Sequence, residues 1–75
     1  MILGGTSSYI RVEYNGRIVR IGGELLSDGF LAYKNSIKKW EEPYENEIID
    51  RETRDLIIKH VIEEAEKANF KIEFE

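Results

Sequence analysis

The chain contains no cysteine, and among its 75 residues there is one proline, one tryptophan, one histidine and one methionine. Without cysteine there are no disulfide staples and no thiolate metal sites, as suits a reducing compartment such as the cytoplasm. The single histidine, His60, falls mid-helix in the reading below, toward the edge away from the apolar stripe, and reads as a surface or boundary residue. No serine stands in a nucleophile-elbow pattern, so no nucleophile is placed beside a base. There is no His-x-x-His and no calcium-loop spacing. With fifteen acidic residues, carboxylate pairs arise by chance, and Glu63 and Glu64 read as a solvated helix face. The expectation is a non-enzymatic protein with no catalytic residue, metal or cofactor. No apolar run approaches a membrane span. Met1-Ile2-Leu3 lacks the basic leader and h-region of a signal peptide, which points to a cytoplasmic location.

What is present fits one small α+β domain over residues 1–75. Residues are 41% hydrophobic and 35% charged, enough for a core and a well-solvated surface. A chain this short draws roughly 3–5 kcal/mol from its core alone. The net charge of −4 is unevenly spread. Residues 1–40 hold six Lys/Arg against three Asp/Glu, and residues 41–75 hold five against twelve. Trp40 and Pro43 stand at the seam.

Residues 1–8, with Gly4, Gly5, Thr6, Ser7 and Ser8, read as a flexible lead-in. Gly4-Gly5-Thr6-Ser7 is no phosphate cradle, because it precedes a strand where such a loop follows one. A hairpin over residues 9–21 turns at Asn15-Gly16, whose residues tolerate the positive φ of a type I′ turn. That turn pairs Tyr14 with Arg17, Val12 with Val19 and Ile10 with Ile21, and alternation puts these pairs on the core face. Gly22-Gly23 is expected to bend or bulge the sheet. A second meander over 24–40 turns at Ser27-Asp28-Gly29, with Gly29 assigned the left-handed position, and Ile37–Trp40 is either a short strand or an irregular edge.

An acidic loop over 41–49 precedes a helix over 51–68. Asp50 caps the helix, Ile57, Ile58, Val61, Ile62, Ala65 and Ala68 form its apolar stripe, and Asn69 ends it. Asp55–Lys59 and Glu63–Lys67 are spaced for i, i+4 ion pairs. Phe70, Ile72 and Phe74 alternate with charged residues, giving a strand over 70–75. The fold expected is therefore α+β, a mostly antiparallel sheet of four or five strands with one helix packed on one face.

Two surfaces invite a partner. The outward face of the hairpin shows Tyr9, Arg11 and Arg20, the composition of a small nucleic-acid-binding or regulatory module. The net acidity and Glu13 amid that patch weigh against it. The second surface is the acidic loop, where Glu41, Glu42, Glu45 and Glu47 surround Tyr44 and would steer toward a basic protein. Trp40 is expected to plug the core edge and anchor that loop. The partner-binding set is thus Trp40, Glu41, Glu42, Tyr44, Glu45 and Glu47. A plain oligomerisation domain is a further alternative, and the expected state is a monomer or weak homodimer.

Three stretches, Asn15-Gly16, Gly29-Phe30-Leu31-Ala32-Tyr33 and Ser36-Ile37-Lys38-Lys39-Trp40-Glu41-Glu42-Pro43, followed by an Ile- and Glu-rich helix and a last strand, give the chain a family likeness. It resembles immunity protein family 74, small bacterial proteins of polymorphic-toxin systems. The resemblance implies a gene beside a toxin gene and a product that binds the toxin and blocks it. It carries no catalytic residues.

Overall fold

A computed structural model describes all 75 residues. Five strands form one sheet in the order β1-β2-β3-β4-β5. They are β1 (Ile2–Gly5), β2 (Tyr9–Tyr14), β3 (Arg17–Leu26), β4 (Gly29–Ala32) and β5 (Lys71–Phe74). One helix, α1 (Arg51–Lys67), lies between β4 and β5 in the chain, and a 3₁₀ turn covers Lys34–Ser36. The α+β class and the helix-then-strand ending are as the sequence leads one to expect.

The β2–β3 hairpin has the register set by Asn15-Gly16, with Tyr14 opposite Arg17, Val12 opposite Val19 and Ile10 opposite Ile21. Asn15 and Gly16 take φ of 52° and 77°, as the turn requires. Gly22 and Gly23 do not interrupt β3, which runs for ten residues. Instead the strand changes neighbours there. Tyr9 to Tyr14 pair with its first half, and Gly29 to Ala32 pair with its second.

Three further expectations change. The first is the lead-in, much of which is strand β1, antiparallel to β2 with a shift of register between Ile2 and Gly4. Its glycines serve close approach: a Cβ on Gly5 would overlap the Tyr9 carbonyl oxygen. Ser7 and Ser8 then accept amide hydrogen bonds from Leu25 and Gly23 at 3.0 and 2.9 Å, tying this segment to β3. The second is Gly29, which has no positive φ. It pairs with Leu26, and a Cβ there would overlap the Lys71 carbonyl oxygen of β5. The third is the pair of helical ion pairs: no cation–carboxylate contact joins Asp55 to Lys59 or Glu63 to Lys67, and Asp55 instead faces Arg54 at 3.7 Å.

The helix ends follow local rules. Asp50 accepts a hydrogen bond from the Thr53 amide at 2.8 Å. At the other end Asn69 has φ 56°. The Phe70 amide donates to Ala65 at 2.9 Å and the Asn69 amide to Glu66 at 3.2 Å, a Schellman ending. That turn starts β5 beside the beginning of β4, and the two strands run parallel from Gly29 opposite Lys71. Ile57, Val61 and Ala65 are buried against Ile10, Val12, Val19, Ile21, Phe30, Ala32 and Ile72 of the sheet. Ile37, Trp40 and Ile49 complete the core at the end where the acidic loop departs. No helix is long and apolar enough to cross a membrane.

Candidate partner-binding surface

The loop is fixed at its base by backbone pairing. Trp40 bridges Val19 on β3, and Lys39 bridges Ile48. The Glu41 amide donates to Ile18 at 2.7 Å, and the Ile49 amide to Lys38 at 2.9 Å. Of the two readings of Ile37–Trp40, the irregular edge is the one realised. Trp40 is 7% exposed, packed where a plug for the core edge was expected. Its indole packs with Ile37 and Ile49 in the core beneath the loop and leaves little surface of its own.

Within the loop, the Tyr44 amide donates to Glu41 and the Glu47 amide to Tyr44, each at 3.0 Å. Tyr44 is half-buried against the core, and the Arg17 guanidinium sits 4.2 Å from its ring centroid. The Glu42–Pro43 peptide is cis.

The four glutamates divide into two pairs. Glu41 receives two hydrogen bonds from Arg11, at 3.0 and 3.1 Å, and lies 3.9 Å from Arg20. Glu47 receives two from Arg17, at 2.9 and 3.2 Å. Such planar forks are geometrically specific. The Arg11 hydrogen bonds hold the Glu41 carboxyl below the usual carboxylate range, partial burial opposes this, and the charges of Arg11 and Arg20 add to the lowering. Glu42 and Glu45 are exposed and have no cation within salt-bridge distance. Between the two forks, therefore, the free acidic groups are Glu42 and Glu45. Beside them Ile48 is 86% exposed, an apolar side chain held outward by the bridge to Lys39. Sequence reasoning missed Ile48, because Ile48-Ile49 alone does not reveal which of the two faces inward.

The hairpin's outward face is occupied by internal contacts. Arg20 stacks 4.3 Å from the Tyr9 ring centroid, and Arg11 is taken by Glu41. The groups expected to stack bases and meet phosphates are thus turned on one another. His60 meets Tyr14 edge-to-face at 5.5 Å between centroids, and its Nε2 lies 2.8 Å from the Met1 ammonium and 4.0 Å from Glu64. No group of three or more acidic or histidine side chains is placed to hold a metal ion.

Comparison with known families gives a match to the family described as Immunity protein 74 over residues 2–75. No curated protein and no solved structure matches.

Proposed function

Because the chain belongs to the immunity protein 74 family, we propose that it binds a cognate toxin and neutralises it by steric cover, without chemistry of its own. The observation that carries the choice of surface is the pair of arginine forks, Arg11–Glu41 and Arg17–Glu47. They hold the intervening residues in one arrangement before any partner arrives, which lowers the ordering cost of association. Glu42 and Glu45 then offer free charge for steering a basic surface, and Ile48 offers the apolar contact that a charged rim alone lacks. In this reading Glu41, Glu47 and Trp40 position the loop, while Glu42, Tyr44, Glu45 and Ile48 face the toxin.

The test is co-expression with the toxin domain encoded beside the gene. The expected result is growth rescue and a stoichiometric complex on gel filtration. Reversal of Glu42 and Glu45 to lysine is expected to slow association by about tenfold at low salt, with a smaller change at high salt. A toxin that stays active in the presence of excess protein overturns the neutralisation reading. An unchanged association rate in the double reversal moves the interface elsewhere on the molecule.

A further inference from the structure

The cations of this acidic chain are not evenly used. Arg11 and Arg17 are held by glutamates, Arg20 lies over Tyr9 and beside Glu41, and Lys71 pairs with Glu73. Six exposed cations, Lys34, Lys38, Lys39, Arg51, Lys59 and Lys67, have no carboxylate within salt-bridge distance, and all but Lys67 fall in one region. Arg54 lies with those five. One open groove runs between the helix and the end of β5, lined by Lys34, Arg51, Arg54 and Lys59 with Ile58, Ile62 and Phe74. A second runs between the helix start and the loop base, lined by Lys38, Lys39, Arg51 and Arg54 with Ile37, Ile48 and Ile49. Arg51 and Arg54 line both, so the grooves form one continuous strip.

Three features set the strip apart from a solvated surface. Its cations exceed the four carboxylates that line it, Glu45, Asp50, Asp55 and Glu63, in a chain whose net charge is −4. The Arg54 Nε is buried and has no hydrogen-bond partner, so that donor is left unsatisfied. Finally, Arg51 and Arg54 sit in the first turn of α1, where the helix dipole disfavours positive charge, so local stability does not account for them.

We propose that this strip is a docking surface for an acidic protein segment that also carries apolar side chains. The cations supply charge complementarity, and Ile48, Ile58, Ile62 and Phe74 give apolar residues of the segment somewhere to rest. Nucleic acid fits less well. The interleaved carboxylates limit the positive potential that phosphate binding needs, and the only aromatic side chain in the strip, Phe74, is half-buried. The surface adjoins the acidic loop and shares Glu45 and Ile48 with it, while its cations lie outside the loop.

The test uses the whole chain, labelled with nitrogen-15, and a short capped peptide, Glu-Leu-Glu-Glu-Phe-Glu-Glu. Amide shifts are expected at residues 34–39 and 48–62, weakening as NaCl rises from about 0.05 M to about 0.5 M. Reversal of Lys38, Lys39 and Arg51 to glutamate is expected to weaken binding by roughly tenfold or more, as three exposed ion pairs allow. Reversal of Lys67 and Lys71, which lie outside the strip, leaves binding unchanged. The spectrum of each variant reports its fold directly. No shift, shifts mapping elsewhere, or an equal response to the triple and the control reversals overturns the proposal. So does an oligothymidylate that shifts the same amides more strongly than the peptide.

Discussion

Glu41 lies between two arginines that face each other across the hairpin. Arg11 and Arg20 are register partners on β2 and β3, and the Glu41 carboxylate is 3.0 Å from the first and 3.9 Å from the second. Like charges directly opposite on neighbouring strands destabilise a sheet. Glu41 cancels that repulsion while fixing the loop. Glu41→Gln is therefore expected to lower the thermal midpoint by roughly a few degrees, more than loss of an ordinary exposed ion pair. In the Glu41→Gln background, Arg20→Ala is expected to restore part of the loss, whereas in the native chain it destabilises. Thermal melts of the four species decide it, and additivity would remove the compensation.

Acid sensitivity follows from the same carboxylate. In the fold, Glu41 is held below its usual range by Arg11, and Asp50 by its hydrogen bonds from Thr53. The unfolded chain therefore takes up these protons first as the pH falls. Their contribution is complete above the ordinary carboxylate range, about pH 4–4.5, and fades as the pH drops through the lower folded values. A Glu41→Gln/Asp50→Asn double variant is expected to be less stable than the native chain at neutral pH, with the gap closing in acid. Urea midpoints measured across that range check it. A constant gap would mean that the two carboxyls are not the linked groups.

Gly22 and Gly23 look interchangeable in the sequence but are not in the fold. A Cβ on Gly23 would overlap the Leu31 carbonyl oxygen and come within 2.6 Å of the Phe30 ring, which is buried. On Gly22 the nearest atom would be the Ser36 Cβ at 3.6 Å, an ordinary contact. Gly23→Ala is expected to abolish the cooperative transition or lower it sharply. Gly22→Ala is expected to be close to neutral, since reduced freedom of the unfolded chain offsets small losses. Circular dichroism melts of the two variants separate these outcomes.

The elements legible in the sequence are those written by local rules. Asn15-Gly16 sets a register, Asp50 and Asn69 set helix ends, and alternation gives β5; each signal spans a few residues. What escaped depends on distant chain. Gly5 and Gly29 carry no local mark separating a flexible glycine from one pressed against another strand's carbonyl. The parallel pairing of β5 with β4 rests on where the helix sets the chain down. For the site, the acidic segment was visible but its division was not. Both forks join residues thirty positions apart, so no spacing rule distinguishes Glu41 and Glu47 from Glu42 and Glu45.

Within α1, Ile57 and Leu56 are neighbours at 0% and 52% exposure. Ile57→Ala empties space in the centre of the core and is expected to cost about 2–5 kcal/mol. In a domain this small, that is a large share of the total. Leu56→Ala is expected to change stability by no more than about 0.5 kcal/mol. Chemical denaturation of both variants tests whether the stripe read from the sequence carries the packing.

The adjacent isoleucines at the loop's end separate fold from recognition most cleanly. Ile48 is 86% exposed and Ile49 is 7% exposed, and only Ile49 belongs to the core. Ile49→Asp buries a charge among Trp40, Ile37 and their neighbours, and is expected to unfold the chain. Ile48→Asp keeps the bridge to Lys39, since that contact is made by the backbone, and is expected to leave the melting temperature unchanged. If the loop meets the toxin, Ile48→Asp weakens the complex chiefly by raising the dissociation rate, because an apolar contact acts after encounter while the glutamates act before it. A variant that folds normally and releases the toxin no faster than the native chain would take Ile48 out of the interface, leaving the neutralisation reading itself intact.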